Sequence, residues 1–207
     1  MFLDATVFVV DDDQRARESV CALIQTRGLN TESFPSGDAF LEAYQPDRPG
    51  CLITDLRMLG MSGLELQRTL LERGIRLPVI LITGHPQTSV TVRAMKDGAV
   101  TLLEKPFGQN DLWEAVDEAI QRDKKQRAEQ VQRAEIRRRI NSLTEKERVV
   151  MDLVVNGVAN KVIAKKLDVS IRTVESRRHD VFEKMKAESL AELVRMAILY
   201  NTDPADS

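Results

Sequence analysis

Three acids, Asp11, Asp12 and Asp13, follow one short apolar run, and a fourth, Asp55, ends another. Thr83, followed by Gly84, ends a third such run, and Lys105-Pro106 follows a fourth. Carboxylates gathered in one pocket repel each other unless a hard cation such as Mg2+ neutralises them. A carboxylate can act as a nucleophile towards phosphorus and become an aspartyl-phosphate. A lysine and a metal then offset the charge on the transferred group, and a threonine hydroxyl can donate to a phosphate oxygen. Each signal is weak alone, since an acidic cluster after a strand is usually a solvated loop. Their convergence points to phosphoryl capture. An aspartate-nucleophile phosphatase commonly has a second aspartate two residues on, and Arg57 occupies that position here.

Convergence requires elements that bring these residues to one edge. Apolar β-type runs at 6–10, 30–34, 51–54, 79–83 and 101–104 alternate with helical patterns at 15–26, 38–44, 64–73 and 89–96, and a fifth helix starts at 110. Apolar strands separated by helices predict a parallel sheet covered on both faces. Five such units make a doubly wound α/β domain, in which ligands bind outside the carboxyl ends of the strands. Gly28 and Gly98 stand where helices should end.

The chain has 207 residues, 43% hydrophobic and 30% charged, enough to bury a core in one or two domains. No apolar run approaches bilayer length, and the N-terminal 1–10 stretch lacks a basic n-region and reads as a strand. Cys21 and Cys51 each stand alone in an apolar run and read as reduced core thiols of a cytoplasmic protein. Residues 1–120 carry 11 basic and 18 acidic side chains, 121–140 carry 8 and 3, and the rest 11 and 11. An acidic front, a basic connector and a neutral tail predict separate modules: an α/β domain over 1–121, a solvated helical linker over 122–141 and a second domain over 142–207. That last part has no strand signal, and helices fit at 144–156, 161–167, 171–186 and 189–200. Thr144 with Glu147, and Ser189 with Glu192, have capping-box spacing. His85 and His179 are the only histidines, which argues against a histidine nucleophile or metal site.

The runs VVDDD, ITDLRM, ITGH and EKPF resemble the receiver domains of two-component response regulators over residues 4–121. The resemblance implies Asp55 as phosphoacceptor for a sensor histidine kinase, Asp12 as a direct Mg2+ ligand with Asp11 assisting, and the Arg57 carbonyl as a further ligand. It makes Thr83 the switch hydroxyl, Lys105 the phosphate partner and Lys105-Pro106 a cis bond. A receiver of this kind is not an enzyme beyond handling its own phosphoryl group. Two positions depart from the pattern: Leu59 where receivers usually have proline, and Leu102 where many have an aromatic switch residue.

The C-terminal stretch LTEKERVVMDLVVNGVANKVIAKKLDVSIRTVESRRHDVFEKM resembles the LuxR-type helix-turn-helix of FixJ/NarL regulators, which implies double-stranded DNA as a partner, with RNA polymerase a further candidate. The residues agree independently. Asp168-Val169-Ser170 is a short turn with Ser170 available as an N-cap, and residues 160–186 hold eight basic and four acidic side chains. At about 100° per residue, Val174, Val181 and Met185 share a buried face, opposite Arg172, Glu175, Ser176 and His179. Glu175, Ser176 and His179 are assigned to base edges, and Lys161, Thr173 and Arg177 to the DNA backbone. Arg178 falls near the core face.

One helix-turn-helix touches one half-site, so two half-sites need a two-fold protein. The resemblance implies a homodimer on phosphorylation through the fourth helix, fifth strand and fifth helix, with Val92 and Lys96 expected to meet Leu112, Asp111 or Glu114. In the last helix Leu190, Leu193, Val194, Ala197 and Ile198 are expected in the core, leaving Met196 and Tyr200 outward.

Overall fold

The five apolar runs form one parallel sheet, β1 (Thr6–Val10), β2 (Asn30–Phe34), β3 (Gly50–Asp55), β4 (Val79–Thr83) and β5 (Thr101–Glu104), in the order β2-β1-β3-β4-β5. The structure is a computed structural model that describes residues 5–46 and 48–202; the ends of the expected 1–121 and 142–207 domains, residues 1–4 and 203–207, lie outside the described residues, as does Asp47. The chain divides into two units, Met1–Arg127 and Ala128–Ser207.

Alternation along the buried strands sorts the first unit into layers. Val7, Val9, Cys51, Ile53, Ile80 and Ile82 face α1 (Gln14–Gln25) and α5 (Gln109–Asn141), where Ile24, Leu112 and Val116 complete the core. Phe8, Val10, Leu52 and Leu81 face the other way, towards α2 (Gly37–Ala43), α3 (Gly63–Glu72) and α4 (Thr88–Lys96) through Phe40, Leu66, Leu70 and Ala94. The inner strands β1, β3 and β4 are buried along their whole length, as the apolar runs predict. The edge strands β2 and β5 are only half-buried, so their polar residues are tolerated. Gly28 and Gly98 end helices with φ of 73° and 87°, left-handed values that glycine adopts without steric cost.

The stretch 122–141, expected as a solvated linker, is helical throughout as part of α5, but its two ends are anchored. Asp123 is 3% exposed and accepts the Gly50 N–H at 3.0 Å, while Arg127 donates to Asp123 and to the Arg48 carbonyl. Ile136 and Ile140 lie in the core of the second unit. Spacing gives no warning of this, because two isoleucines among arginines make too thin a stripe to register.

The second unit is all helical: the end of α5, then α6 (Glu145–Val155), α7 (Asn160–Leu167), α8 (Ile171–Met185) and α9 (Leu190–Asn201). Thr144 and Glu147 form the full capping box expected of them. Ser189 caps α9, but Glu192 accepts from the Glu188 N–H rather than from Ser189, so that box is half made. In α9 the core is Leu193, Met196 and Ala197, whereas Leu190 and Ile198 are 43% and 55% exposed. Leu193 and Ala197 are in the core as expected, but the face is rotated from the expected one: Met196 is buried, Tyr200 packs partly against the core, and Leu190 and Ile198 point outward. Apolar residues on nearly all sides of this helix leave its phase open in the sequence.

Glu147 also receives Lys184 of α8 on both oxygens, at 2.8 and 2.7 Å. The Lys184 ammonium, working against desolvation and helped by the Thr144 cap, holds the Glu147 carboxyl below its usual pKa of 4.5. A depressed folded-state pKa contributes stability above the unfolded value and loses it as pH falls through the folded one. Glu147→Ala should therefore cost the second unit about 1–3 kcal/mol. In pH-dependent thermal unfolding, wild type should lose stability more steeply below about pH 4.5 than Glu147→Gln does.

Candidate functional site

The carboxyl ends of β1, β3 and β4 and the residue after β5 deliver Asp11, Asp55, Thr83 and Lys105 to one edge of the sheet. Asp11 and Asp55 are 7% and 9% exposed, and the Lys105 ammonium lies between them, 3.1 Å from Asp11 Oδ2 and 2.6 Å from Asp55 Oδ1. Desolvation alone would lower the Lys105 pKa, but the hydrogen bonds to Asp55 and Asp11 outweigh it and hold the pKa above the usual value. The pocket is thus an anionic cleft that already draws a cation. The Lys105-Pro106 peptide bond is cis.

Backbone N–H groups take up three more carboxylate oxygens. Arg57 donates to Asp55 Oδ2 at 2.7 Å, Leu59 to Asp12 Oδ2 at 3.0 Å and Asp13 to Asp11 Oδ1 at 2.9 Å. Asp12 is exposed and makes no ion pair with Lys105. Asp13 is more than a solvated acid, since its side chain caps α1 by accepting from Arg15 and Ala16. Thr83 is buried, and its hydroxyl oxygen accepts the His85 N–H at 3.2 Å. Arg17, which sequence reasoning passes over as a surface residue of α1, donates to the Asp11 carbonyl at 2.6 Å.

Among the described residues no three His, Cys, Asp or Glu side chains are gathered closely enough to hold a metal by themselves. The donor set still fits Mg2+. That ion keeps several waters and typically takes only one or two protein carboxylates, and here two hard-oxygen carboxylates already share a cation, Lys105, with Asp12 next to Asp11 on the loop after β1.

A second candidate surface lies on α7 and α8. Ser170 caps α8 by accepting the Thr173 N–H at 3.0 Å, and Asp168 before it has φ of 51°, a left-handed value that makes the turn tight. Val174, Val181 and Met185 are buried at 0%, 1% and 0%, so the expected phase of this helix is correct. Lys161, Arg172, Glu175, Ser176 and His179 are exposed. Thr173 and Arg177 are half-buried: the Thr173 hydroxyl pairs with Ser170 Oγ at 2.8 Å, and Arg177 lines a cleft with Glu145, Val149, Leu167 and Val169. Arg178 donates to Asn160 Oδ1 at 2.6 Å and braces the start of α7 against α8. The charged residues on this face are therefore divided between braces and free groups, a division that angular position alone does not give.

Among the described residues no helix is long and apolar enough to cross a membrane. Residues 7–117 match the family described as the response regulator receiver domain, and residues 141–197 match the bacterial regulatory proteins of the luxR family. The transcriptional regulatory protein FixJ of Azorhizobium caulinodans is 46% identical over 200 residues, covering 97% of this chain and 95% of that protein. The solved structure of response regulator StyR is similar with a TM-score of 0.84 at 38% identity, covering 95% of this chain and 100% of that one. Full-length FixJ from B. japonicum is similar with a TM-score of 0.58 at 36% identity over 96% and 98% of the two chains. Receiver and LuxR-type modules both match, in one order and over nearly the whole length, so the chain belongs to the response regulator family and is a two-component transcription factor.

Proposed function

We propose that Asp55 is the phosphoacceptor of this regulator and that its phosphorylation by a sensor histidine kinase controls DNA binding. The observation that carries this reading is the Lys105 ammonium shared by Asp11 and Asp55 at 3.1 and 2.6 Å. An Asp55 oxygen attacks the phosphorus of a phosphohistidine, the P–N bond breaks, and the imidazole leaves with the electron pair. Lys105 is already within reach to follow the new charge onto the phosphoryl oxygens. The His85 N–H occupies a lone pair of the Thr83 hydroxyl and leaves its proton free to donate to phosphate. Asp12, Asp55, the Arg57 carbonyl and, through water, Asp11 are the proposed holders of Mg2+, which when bound neutralises charge that develops on the transferred group. Arg57 offers no carboxylate to activate water, which favours a lasting acyl phosphate over rapid phosphatase turnover.

In the second unit, Glu175, Ser176 and His179 are proposed to read base edges and Arg172 to reach the groove with them. Lys161, Thr173 and Arg177 are proposed to contact the DNA backbone, Thr173 after release from Ser170. Phosphorylation is proposed to produce a homodimer through α4, β5 and α5. Leu112, expected at that interface, is fully buried in the core at 0% exposure, so Val92 and Met95 on α4, 48% and 45% exposed, are the apolar centre instead. Leu190 and Ile198, exposed on α9, are proposed as a second apolar contact between the DNA-binding units. A DNA target and RNA polymerase as downstream partner put the protein in the cytoplasm.

Three outcomes test these assignments. Treated with a small-molecule acyl phosphate and Mg2+, wild type should gain one phosphoryl group by mass, Asp55→Asn none, and Asp12→Asn should lose most of the Mg2+ dependence. Labelling of Asp55→Asn at the wild-type rate contradicts the assignment. Lys161→Ala should weaken binding to all DNA sequences and flatten the salt dependence, whereas Glu175→Ala or His179→Ala should relax base preference by about 1–3 kcal/mol at one position; uniform losses in all three contradict the division. In sedimentation, phosphodonor should convert wild type from monomer to dimer at micromolar concentration, and Lys96→Glu should remain a monomer.

A further inference from the structure

One long-range hydrogen bond ties the loop after β1 to the loop after β3: the Leu59 N–H donates to Asp12 Oδ2 at 3.0 Å. The Leu59 side chain is 83% exposed, so packing does not hold this residue in place. Gly60 follows with φ of 81°, a left-handed turn that glycine makes without strain and that directs the chain away towards α3. Lys105 reaches Asp11 and Asp55 but makes no ion pair with Asp12. The exposed Asp12 carboxylate is therefore positioned by Leu59, and through it by the same short segment that carries the Arg57 carbonyl. A proline at position 59, usual in the receivers this chain resembles, has no N–H and cannot make this bond.

We propose that the Leu59 amide is a positioning group for Mg2+: it clamps Asp12 onto the loop bearing the Arg57 carbonyl before the ion arrives. The inference rests on the proposed reading of Asp12 and Arg57 as ligands. The bond uses one carboxylate oxygen and leaves the other for the cation. A hydrogen bond to a ligating carboxylate fixes its orientation, and a loop ordered in advance costs less to order on binding. The clamp does not depend on phosphorylation and acts on the pocket in its resting form.

Mg2+ titrated calorimetrically into the full chain tests the clamp. Leu59→Pro should bind Mg2+ roughly three- to tenfold more weakly than wild type, the range of one exposed hydrogen bond. Leu59→Ala, which keeps the N–H, should restore wild-type affinity. Equal affinity in wild type and Leu59→Pro, or an equal loss in Leu59→Ala, overturns the clamp; wild type that binds no Mg2+ overturns the ligand assignment and the clamp with it. Hydrogen exchange without metal gives a readout that needs no proline. The Leu59 amide should be protected in wild type and exchange at least several-fold faster in Asp12→Ala, and an amide that exchanges equally fast in both overturns the proposal.

Discussion

Charge balance at the carboxyl edge of the sheet constrains everything else in the first unit. Asp11 and Asp55 end neighbouring strands, β1 and β3, so the parallel register itself forces two nearly buried carboxylates together. Two carboxylates brought together repel unless a cation or a shared proton offsets them, and Lys105 supplies a cation from beyond β5, across the intervening strand β4. The backbone is arranged to the same end, with N–H groups of Asp13, Arg57 and Leu59 each aimed at a carboxylate oxygen. Such a pocket is held by its own lysine, and the proposed Mg2+ is a second cation for it. On the proposed reading, a phosphoryl group at Asp55 draws Lys105 onto its oxygens and changes the restraint on β5.

The second unit depends on a different economy. Its core is small and drawn from four complete helices and the end of α5, and its polar braces sit where helices meet. Glu147 with Lys184 joins α6 to α8, and Asn160 with Arg178 joins α7 to α8. These pairs fix the turn between α7 and α8 while leaving Arg172, Glu175, Ser176 and His179 exposed on one side. The proposed recognition surface gains precision from being carried on a helix whose opposite face is fully packed.

Much of this was legible in the residues. The elements of the first unit follow from apolar runs alternating with helical patterns, and the strand-end residues follow from topology, because a parallel sheet places every carboxyl end at one edge. The phase of α8 was equally clear, since Val174, Val181 and Met185 are flanked by charged residues. Where a helix is apolar on several sides, as α9 is, pattern does not choose a face, and Met196 displaced Ile198 from the core. Leu112 was misread for a related reason: beside Asp111 and Glu114 it looks like surface, yet it packs fully into the core with Ala115 and Val116. Bonds made by backbone N–H groups, such as Leu59 to Asp12, carry no side-chain signature at all. Nor do anchors that join distant segments, such as Asp123 to Gly50.

A charge event at Asp55 is proposed to change the affinity of a unit that lies in a separate part of the chain. Dimerisation is the proposed link, because two half-site contacts made together bind far more tightly than either alone. The most direct test is a titration of the full-length protein with a two-half-site DNA fragment selected by the protein itself, with and without a phosphodonor and Mg2+. The account predicts that phosphorylation tightens binding by about ten- to a hundredfold and that the gain disappears when one half-site is scrambled. An affinity unchanged by phosphorylation, measured on protein whose mass confirms the added group, would contradict it.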